Sequence, residues 1–526
     1  MTHQYDYVII GSGFGGSVSA LRLAEKGYKV LVLEKGKWFR AEDFPRSNWN
    51  LRRWLWMPGL RFFGIMKMTF FRHVTILSGT GVGGGSLVYA NTLPVPKPAF
   101  FESGSWAGLA DWQSELAPHY ETALRMLGAA PPPVFHEGEL ALKKLAEEIG
   151  MADHFEAPKV AVYFDEPGRR VADPYFNGKG PDRTGCIYCG GCMTGCRHNA
   201  KNTLDKNYLH LAQQLGVEIR AEQEVVDVTP LGSADGVGGY QVHFRSSTRL
   251  FAGRQSVTTK GVIFAGGVLG TVKLLLQLKR SSLPRLSDKV GHDIRSNNES
   301  LIPVTSLNDQ KDFSKGIAIG ALLHTDADSH LEPVRYSAGS GFWRLLLAPQ
   351  VFGSNTLVRL LKIAGDWLRH PVRNLRVVFV KDWAKSTATL LFMQHLDSTL
   401  RFRRNALGGM SSTVEKGAAP SAFIPRAGEL AQRYSRIIDG KPTVFLLEPL
   451  MGIPSTAHIL GGAVMGKTPD EGVIDAQNRV FGYENMLVCD GAMISANPGV
   501  NPSLSITAIA ERAMEFIPPA LPPSSP

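Results

Sequence analysis

Apolar runs separated by glycine turns mark the beginning of the chain. The pattern predicts a buried strand over Tyr7–Ile10, an amphipathic helix over Ser17–Glu25 and a second buried strand that ends at Glu34. The turn before the helix, GSGFGG, has glycine at positions 11, 13 and 16, in GxGxxG spacing. A strand, a glycine turn, a helix and a second strand form the βαβ unit that binds a dinucleotide.

Each glycine of this turn has its own steric role. Gly11 permits the tight turn, Gly13 lets a pyrophosphate approach the backbone, and Gly16 lets the helix pack against the strand. The helix N-terminus then faces the phosphate charge. Glu34 lies at the end of the second strand, where a carboxylate accepts hydrogen bonds from both ribose hydroxyls and repels a 2′-phosphate.

A second glycine-rich stretch, GTGVGGGSLVYAN, covers residues 79–91 and also matches GxGxxG. Prolines at positions 94, 96 and 98 follow it and exclude the crossover helix that a second nucleotide unit needs. The stretch follows the strand-like HVTIL. We therefore expect its backbone to lie flat against something planar or charged rather than to form a second nucleotide fold.

Three later segments complete an α/β pattern. Residues 217–230 alternate like a strand, and residues 260–277 are typical of a strand, a glycine turn and a helix. Residues 479–517 predict a strand, a loop and a last helix, with Asn501 as the N-cap and Pro502 as the first helical residue. The positive end of this helix would point at whatever the preceding loop approaches.

Composition adds size and charge to this picture. A chain of 526 residues with 44% apolar and 20% charged residues is typical of a folded protein with two to four lobes. The net charge of +10 suits an anionic partner, but no nucleic-acid-binding pattern accompanies it, so we expect no nucleic-acid partner. The sequence opens directly with a strand and has no window of 18 uninterrupted apolar residues, which favours a cytoplasmic protein.

Four of the five cysteines lie close together in CIYCGGCMTGC, at positions 186, 189, 192 and 196. The spacing x2, x2, x3 is that of bacterial ferredoxin ligands. Cys186, Cys189, Cys192 and Cys196 are therefore candidate metal ligands. Three interpretations stay open: an iron–sulfur cluster, a zinc ion, or free thiols or disulfides. A cluster would let electrons leave to a partner, as in a dehydrogenase.

Two segments, 38–72 and 342–381, interleave aromatic and aliphatic residues with arginine and lysine. The second carries seven basic residues and a single acid, Asp366. Such a pattern suits peripheral attachment to anionic lipid on the inner face of the membrane. The alternative is an ordinary covering lobe.

The chain resembles the glucose-methanol-choline oxidoreductases, and more narrowly their cholesterol oxidase-like members. The matching stretches are VIIGSGFGGSVSALRLAEKGYKVLVLEKG, GTGVGGGSLVYAN, VIFAGGVLGT, AHILGGAVMGKTPDEGVID, LVCDGAMI and GVNPSLSITAIAER. They span nearly the whole chain, and their order and combination are specific.

The resemblance implies FAD, with its adenosine half on residues 11–34 and the second glycine stretch against the pyrophosphate and the isoalloxazine ring. Asp490 and Gly491 would meet the pyrophosphate and the ribityl chain, and the last helix would face the pyrimidine end of the ring. The cofactor residues that it implies are Gly11, Gly13, Phe14, Gly15, Gly16, Glu34, Gly79, Gly81, Gly83, Gly84, Gly85, Ser86, Asn91, Val226, Asp490, Gly491, Asn501 and Pro502.

The resemblance also implies three catalytic residues. His458 and Asn501 match the histidine and asparagine that bind the reacting alcohol oxygen, and His458 is the better base because it titrates near neutrality. Glu332 falls where the family has a glutamate that moves a proton between carbons when a double bond shifts toward a new ketone; a surface glutamate is the alternative.

Together these observations predict an α/β fold. A Rossmann-type FAD-binding domain is split along the chain (1–100, 201–300 and 456–526), residues 101–200 form a covering region with the cysteines, and residues 301–455 form an inserted α+β substrate domain with an antiparallel sheet. The expected activity is oxidation of a sterol-like secondary alcohol, with electrons passing to oxygen or to an unidentified acceptor. The alternatives are a dehydrogenase of another lipophilic or long-chain alcohol that uses the cysteine-bound cluster, and an electron-transfer flavoprotein without an alcohol substrate.

Overall fold

The computed structural model describes residues 3–353, 355–396, 398–405 and 408–521. Within these ranges the strands form two seven-stranded sheets and four smaller ones. The first sheet carries the βαβ unit, and the second is antiparallel throughout. The predicted fold class, a split nucleotide-binding fold with an inserted antiparallel sheet, is confirmed.

The first sheet is assembled from strands that are far apart in the chain. Parallel pairs join its first four strands, and the last strand of the chain pairs in parallel with Gln255–Phe264. Two antiparallel strands extend the edge. The strands, in spatial order, are Glu218–Arg220, Val30–Leu33, Tyr5–Ile10, Gln255–Phe264, Tyr240–Ser246 and Gln223–Pro230, with Met486–Val488 beside the second half of Gln255–Phe264.

Helices cover the first sheet because its central strands are apolar on both faces. The helix Phe14–Glu25 packs against the last helix, Ser503–Glu515, which in turn packs against Trp112–Met126. The α-helices of the described residues are Phe14–Glu25, Leu51–Trp54, Ala99–Glu102, Trp112–Met126, Glu137–Glu148, Tyr208–Gln214, Gly267–Leu278, Thr356–Arg369, Pro371–Val378, Trp383–Ser386, Pro425–Ile437, Leu447–Met451 and Ser503–Glu515.

The second sheet has one covered face. Helices Glu137–Glu148 and Pro425–Ile437 pack on it and bury a cluster of Leu, Ile, Val and Phe side chains. Its strands, in spatial order, are Leu347–Pro349, Gly440–Phe445, Ser300–Ser306, Thr387–Gln394, Ser329–Val334, Leu322–His324 and Phe155–Glu156.

A three-stranded sheet connects the two large ones. It consists of Met66–Phe70, Thr75–Gly79 and Ser455–Thr456, with Ser455–Thr456 parallel to the strand that leads into the second glycine stretch. This pairing brings His458 near that stretch. The remaining small sheets are Trp56–Met57 with Phe62–Phe63, Arg170–Val171 with Arg183–Thr184, and Thr399–Arg404 with Met410–Lys416.

Two local predictions need correction. The last helix begins at Ser503, with Pro502 rather than Asn501 at the N-cap position, and no side chain caps it. The Asn501 side chain turns toward His458 instead. The alternating run over 217–230 is broken into two strands because Glu222 adopts a left-handed backbone conformation with φ 59°.

The aromatic and basic segment 38–72 is partly core rather than surface. Trp54, Leu55 and Ile65 are buried in a cluster with Trp343 of the other such segment and with Trp383, which follows that segment. Burial of the apolar area of these rings drives the two segments to pack against each other. In the described part of the chain, no helix has the length and the apolar character needed to cross a membrane.

The domain boundaries stay a prediction. The two large sheets fall within the ranges assigned to them, with two exceptions. Phe155–Glu156, from the covering region, forms the edge of the second sheet, and the strand Ser300–Ser306 begins one residue before the predicted start of the substrate domain. Residues 522–526 of the predicted last segment lie outside the described residues.

Candidate active site

A cavity of about 490 Å³ extends from the first sheet to the second. Its nucleotide end is formed by the two glycine turns, and its other end by apolar side chains of the second sheet. Of the residues predicted to bind the cofactor, it is lined by Gly11, Gly13, Phe14, Gly15, Glu34, Gly79, Gly84, Gly85, Val226, Asp490, Gly491, Asn501 and Pro502. The structure thus brings residues from five separate segments to one cavity.

Gly13 opens onto the nucleotide end of this cavity. A Cβ atom built on Gly13 would meet only the Ala265 carbonyl oxygen, at 4.0 Å, so its side-chain position points into free space. The backbone there is extended, with φ −70° and ψ −165°, and the helix begins at the next residue. Backbone N–H groups at a helix start and empty space over a glycine are what a pyrophosphate requires.

Glu34 is held by the same turn. Its carboxylate accepts hydrogen bonds from the Ser12 backbone N–H (3.1 Å), the Ser12 hydroxyl (2.7 Å) and the Gly36 N–H (2.7 Å). Two carboxylate oxygens have about four acceptor positions. Capacity therefore remains for a ribose hydroxyl at this end of the cavity.

The second glycine stretch lies directly on the first. A Cβ on Gly84 would stand 2.7 Å from the Gly13 Cα, and one on Gly79 would stand 2.5 Å from the Gly84 carbonyl oxygen. A 3₁₀ turn over Gly84–Leu87 follows the strand Thr75–Gly79, with no α-helix. The stretch therefore forms a flat wall of the cavity next to the βαβ turn.

Asp490, two residues after the strand Met486–Val488, also lines this part of the cavity. Its carboxylate accepts hydrogen bonds from the Gly267 N–H (2.8 Å), the Thr271 hydroxyl (2.5 Å) and the Ala492 N–H (2.7 Å). Burial raises the pKa of Asp490 to about 6, against the lowering effect of these donors. The contacts join the turn after Gln255–Phe264 to the loop that leads to the last helix.

His458 and Asn501 meet at the junction between the two ends of the cavity. The Asn501 amide nitrogen lies 3.5 Å from the His458 Nε2 atom, and the Asn501 amide oxygen is buried without a hydrogen-bond partner in the described residues. The His458 Nδ1 atom is 2.8 Å from a Glu299 carboxylate oxygen. Burial by itself lowers the pKa of His458, but the Glu299 carboxylate outweighs burial and raises it.

Glu332 lies behind this pair. It is fully buried on the strand Ser329–Val334, and neither carboxylate oxygen has a hydrogen-bond partner among the described residues; His330 Nε2 is 3.5 Å away. Glu332 does not line the cavity, but Val334, on the same face of the strand, and Leu391, its cross-strand partner, both do. Its charge also contributes to the raised pKa of His458.

Five of the predicted cofactor residues do not line the cavity: Gly16, Gly81, Gly83, Ser86 and Asn91. They support its walls. A Cβ on Gly16 would stand 2.2 Å from the Gly11 carbonyl oxygen, so Gly16 permits the helix to contact the strand. The Ser86 hydroxyl donates to the Gly83 carbonyl (2.7 Å) and accepts from the Leu204 N–H (3.1 Å).

The sequence analysis missed Glu299 and most of the apolar end. That end is lined by Leu301, Ile319, Val334, Tyr336, Trp343, Trp383, Thr389, Leu391 and Phe445. These residues lie in strands and loops without a recognisable motif. The apolar runs SLIPVTS and TATLLFMQ are the signals that could have indicated buried strands there.

The four clustered cysteines line a separate small cavity of about 20 Å³, together with Lys201. All four are free thiols. Among the described residues, no group of three or more His, Cys, Asp or Glu side chains is arranged to hold a metal ion, so this arrangement supports neither the zinc ion nor the iron–sulfur cluster. Burial, followed by the neighbouring thiols, raises the pKa of Cys189 to about 11.

The fold and the cavity define a dinucleotide-dependent oxidoreductase, and comparisons with known proteins identify its class. Residues 6–289 match the family of FAD-dependent oxidoreductases, and residues 418–510 match the GMC oxidoreductases. The chain is similar to a cholesterol oxidase of Acinetobacter baumannii (45% identity; 98% of this chain and 95% of that one). It is also similar to a cholesterol oxidase of Mycobacterium tuberculosis (43% identity; 98% and 92%).

The solved structure of pyridoxine 4-oxidase from Mesorbium loti shares the fold, with a TM-score of 0.60, 15% identity and coverage of 97% of this chain and 99% of that one. The chain belongs to the GMC oxidoreductases. It is an FAD-dependent alcohol oxidoreductase, as its sequence resemblance implies.

FAD fits the residues that are present. The open position over Gly13 and the free acceptor capacity of Glu34 suit its pyrophosphate and ribose, and the wall formed by Gly84 suits a planar ring. When bound, FAD supplies the acceptor for a hydride. The protein's own part is to hold the alcohol oxygen and to take its proton.

Gly13→Ala is expected to weaken FAD binding without unfolding the chain. The backbone at Gly13 suits any residue, but the added methyl would occupy the space over the turn. We expect at least about tenfold weaker binding, or about 1.4 kcal/mol, measured by flavin fluorescence on reconstitution. Gly59→Ala, at an exposed position where a Cβ meets nothing within 4 Å, is the matched control. Equal affinity in both variants would contradict this placement of FAD.

Proposed function

We propose that this chain oxidises the hydroxyl group of a 3β-hydroxysteroid or sterol to the ketone. The observation that carries the proposal is the continuity of the cavity: a largely buried apolar end opens onto the polar pair His458 and Asn501. A molecule with a large apolar body and one hydroxyl group matches that division. Identities of 43–45% to cholesterol oxidases over nearly the whole chain support this substrate class.

In the proposed reaction the alcohol oxygen lies between His458 and Asn501. The His458 Nε2 atom accepts the hydroxyl proton while the hydride leaves carbon, and the Asn501 amide donates to the oxygen as it gains negative charge. Both interactions strengthen toward the transition state, which is how they raise the rate. The two electrons pass finally to dioxygen, which gives hydrogen peroxide.

Glu332 is proposed to carry a proton between two carbons of the ketone product, so that a double bond shifts into conjugation. Its place on the cavity-facing side of its strand and its unpartnered carboxylate support this role. An acceptor without other hydrogen bonds is free to take a proton. The ultraviolet absorption of the conjugated ketone would report this step separately from the oxidation.

Anaerobic mixing with a sterol tests the proposal through the bleaching of the bound flavin. The parent protein should bleach, and His458→Ala should slow bleaching by about 100- to 10,000-fold because the general base is lost. Asn501→Ala should slow it through the lost hydrogen bond. His210→Ala, on the helix Tyr208–Gln214, is the control for histidine loss. Bleaching by long-chain alcohols but not by sterols would favour the long-chain substrate, and no bleaching by any alcohol would favour an electron-transfer flavoprotein.

A membrane surface is proposed as the source of the substrate. The helices Thr356–Arg369 and Pro371–Val378 expose Leu357, Leu361, Leu368, Val372 and Leu375. Phe379, directly after the second helix, is also exposed, and Arg369, Arg373 and Arg376 lie beside these residues. Leu346 and Leu446, which are exposed, adjoin the cavity-lining residues Trp343 and Phe445. An apolar surface with a basic rim next to the cavity suits peripheral attachment to the inner face of a membrane.

Replacement of Leu361 and Leu368 by Glu should abolish sedimentation with anionic vesicles. Each basic residue near an anionic surface contributes ~1 kcal/mol, and buried apolar area adds to it. Val237→Glu, at an exposed apolar position of the loop that follows Gln223–Pro230, is the control and should sediment like the parent. Equal sedimentation of the parent with neutral and anionic vesicles at low and high salt would count against the surface.

Residue 354, in the predicted segment 342–381, lies outside the described residues.

A second candidate function concerns the cysteines: an iron–sulfur cluster that passes electrons to a partner, as in a dehydrogenase. In a four-iron cluster each iron binds a single cysteine, so the arrangement differs from that around one ion. Two buried cations favour an anionic occupant. Lys201 donates to the carbonyls of Leu87, Tyr89 and Cys192 (2.8–3.1 Å), and Arg183 donates to carbonyl and amide oxygens; neither forms an ion pair with a carboxylate of the described residues.

Buried charges without a counter-charge are costly. Burial lowers the pKa of Lys201 to about 7, and thiols that remain protonated supply no negative charge. A cluster with thiolate ligands would compensate both cations. The Tyr188 N–H also donates to the Cys186 sulfur (3.4 Å), a contact of the kind that tunes cluster potentials.

Protein purified without oxygen should contain iron and sulfide, and Cys192→Ser should lose both while keeping FAD. Cys489→Ser, which changes the fifth cysteine on the first sheet, is the control and should keep the iron. Iron near zero in flavin-replete protein would exclude the cluster. Zinc in place of iron would show that the cysteines bind a single ion instead of a cluster.

A further inference from the structure

Glu299 lies where the two large sheets meet. It immediately precedes the strand Ser300–Ser306 of the second sheet, and its side chain reaches the short strand Ser455–Thr456 that pairs beside the glycine stretch. There it accepts hydrogen bonds from the Thr456 hydroxyl (2.7 Å) and the Ala457 N–H (3.1 Å), and one of its oxygens lies 2.8 Å from His458 Nδ1. The carboxylate is wholly buried and lines the cavity.

We propose that Glu299 is a positioning residue that keeps the proton of neutral His458 on Nδ1 and so presents Nε2 to the alcohol as a proton acceptor. This inference rests on the proposed function for the identity of the alcohol, but its physical content concerns only the protein. An ionised carboxylate accepts hydrogen bonds and cannot donate them, so the histidine nitrogen that faces it must carry the proton.

The other contacts of the carboxylate keep it ionised and fixed. Two of its three neighbours are donors, and each carboxylate oxygen accepts from one of them: the Thr456 hydroxyl on one oxygen and the Ala457 N–H on the other. Burial by itself raises the pKa of Glu299, but the His458 ring, the Thr456 hydroxyl and the Ala457 N–H outweigh it and lower that pKa. Glu448, another buried carboxylate, has no such donors in the part of the chain that the structure describes, and burial raises its pKa well above the usual value.

Asn501 is consistent with the same tautomer. Its amide nitrogen, a donor, faces His458 Nε2, which must then offer a lone pair. The charged groups that act on His458 are Glu299, from the start of the second sheet, and Glu332, from a neighbouring strand of that sheet. Glu299 touches the ring, whereas Glu332 acts only through the field of its charge.

Glu299→Gln is the test of this role. Glutamine has a single acceptor oxygen for three donors, and its amide nitrogen can donate to His458 Nδ1 and so favour the wrong tautomer. The rate of flavin reduction should fall by about 10- to 100-fold, by analogy with the partners that orient metal-bound histidines. The acid limb of the pH–rate profile should also move to lower pH, because neutral His458 is the active form and its pKa falls when the carboxylate charge is lost.

Thr456→Val is the matched control. It removes another hydrogen bond of the same carboxylate but keeps the charge, so the acid limb should stay in place or move to higher pH. A Glu299→Gln profile with the parental acid limb would overturn the proposal. A limb that moved equally to lower pH in both variants would also overturn it, since packing alone would then explain the shift.

Nitrogen-15 NMR of histidine in the flavin-loaded parent protein gives a readout without substrate, with His458→Asn to assign the signal. We expect a protonated Nδ1 and an unprotonated Nε2 above the His458 pKa; the opposite tautomer would overturn the proposal even if Glu299→Gln did not fold. If no sterol reduces the flavin of the parent protein, the proposed substrate is refuted, while the NMR titration still decides the role of Glu299.

Discussion

The active site depends on the close approach of backbone segments that are far apart in the chain. A Cβ on Gly15 would stand 1.8 Å from the carbonyl oxygen of Cys489, and one on Gly84 would stand 2.7 Å from Gly13. No side chain can be accommodated at such distances. The first turn, the second glycine stretch and the end of the last strand can therefore form one continuous wall, and every other residue of the site is placed relative to that wall.

The second constraint is that a buried charge needs a partner. The contact between Glu299 and His458, which meets this need, joins the two sheets. Glu299 comes from the second sheet and His458 from the segment that follows the three-stranded sheet, and each stabilises the charged form of the other. An unpartnered carboxylate at that place would be costly. The contact between Glu299 and His458 therefore links the part of the protein that holds the cofactor to the part that would hold the substrate.

The sequence predicted the nucleotide half well because its signals are local. The glycine spacing around Gly11–Gly16 and the apolar run that ends at Glu34 follow from backbone sterics within one βαβ unit. Glu299 gave no such signal, since its role arises from a contact with His458, 159 residues away. The apolar end was missed for the same reason: Trp343 and Phe445 come together only through the pairing of the second sheet. The cap assigned to Asn501 was wrong because a tertiary contact overrode a local preference.

The division of the cavity between two sheets has a consequence for how such a catalyst could change. The groups that would take the hydride and the hydroxyl proton come from the first sheet and the junction, whereas Leu301, Thr389 and Phe445 belong to strands of the second sheet. Replacement of these three side chains alters the shape offered to the body of the alcohol without moving His458. The architecture therefore separates the choice of molecule from the reaction itself, so that selection or directed evolution can explore new alcohols while the same redox chemistry is retained.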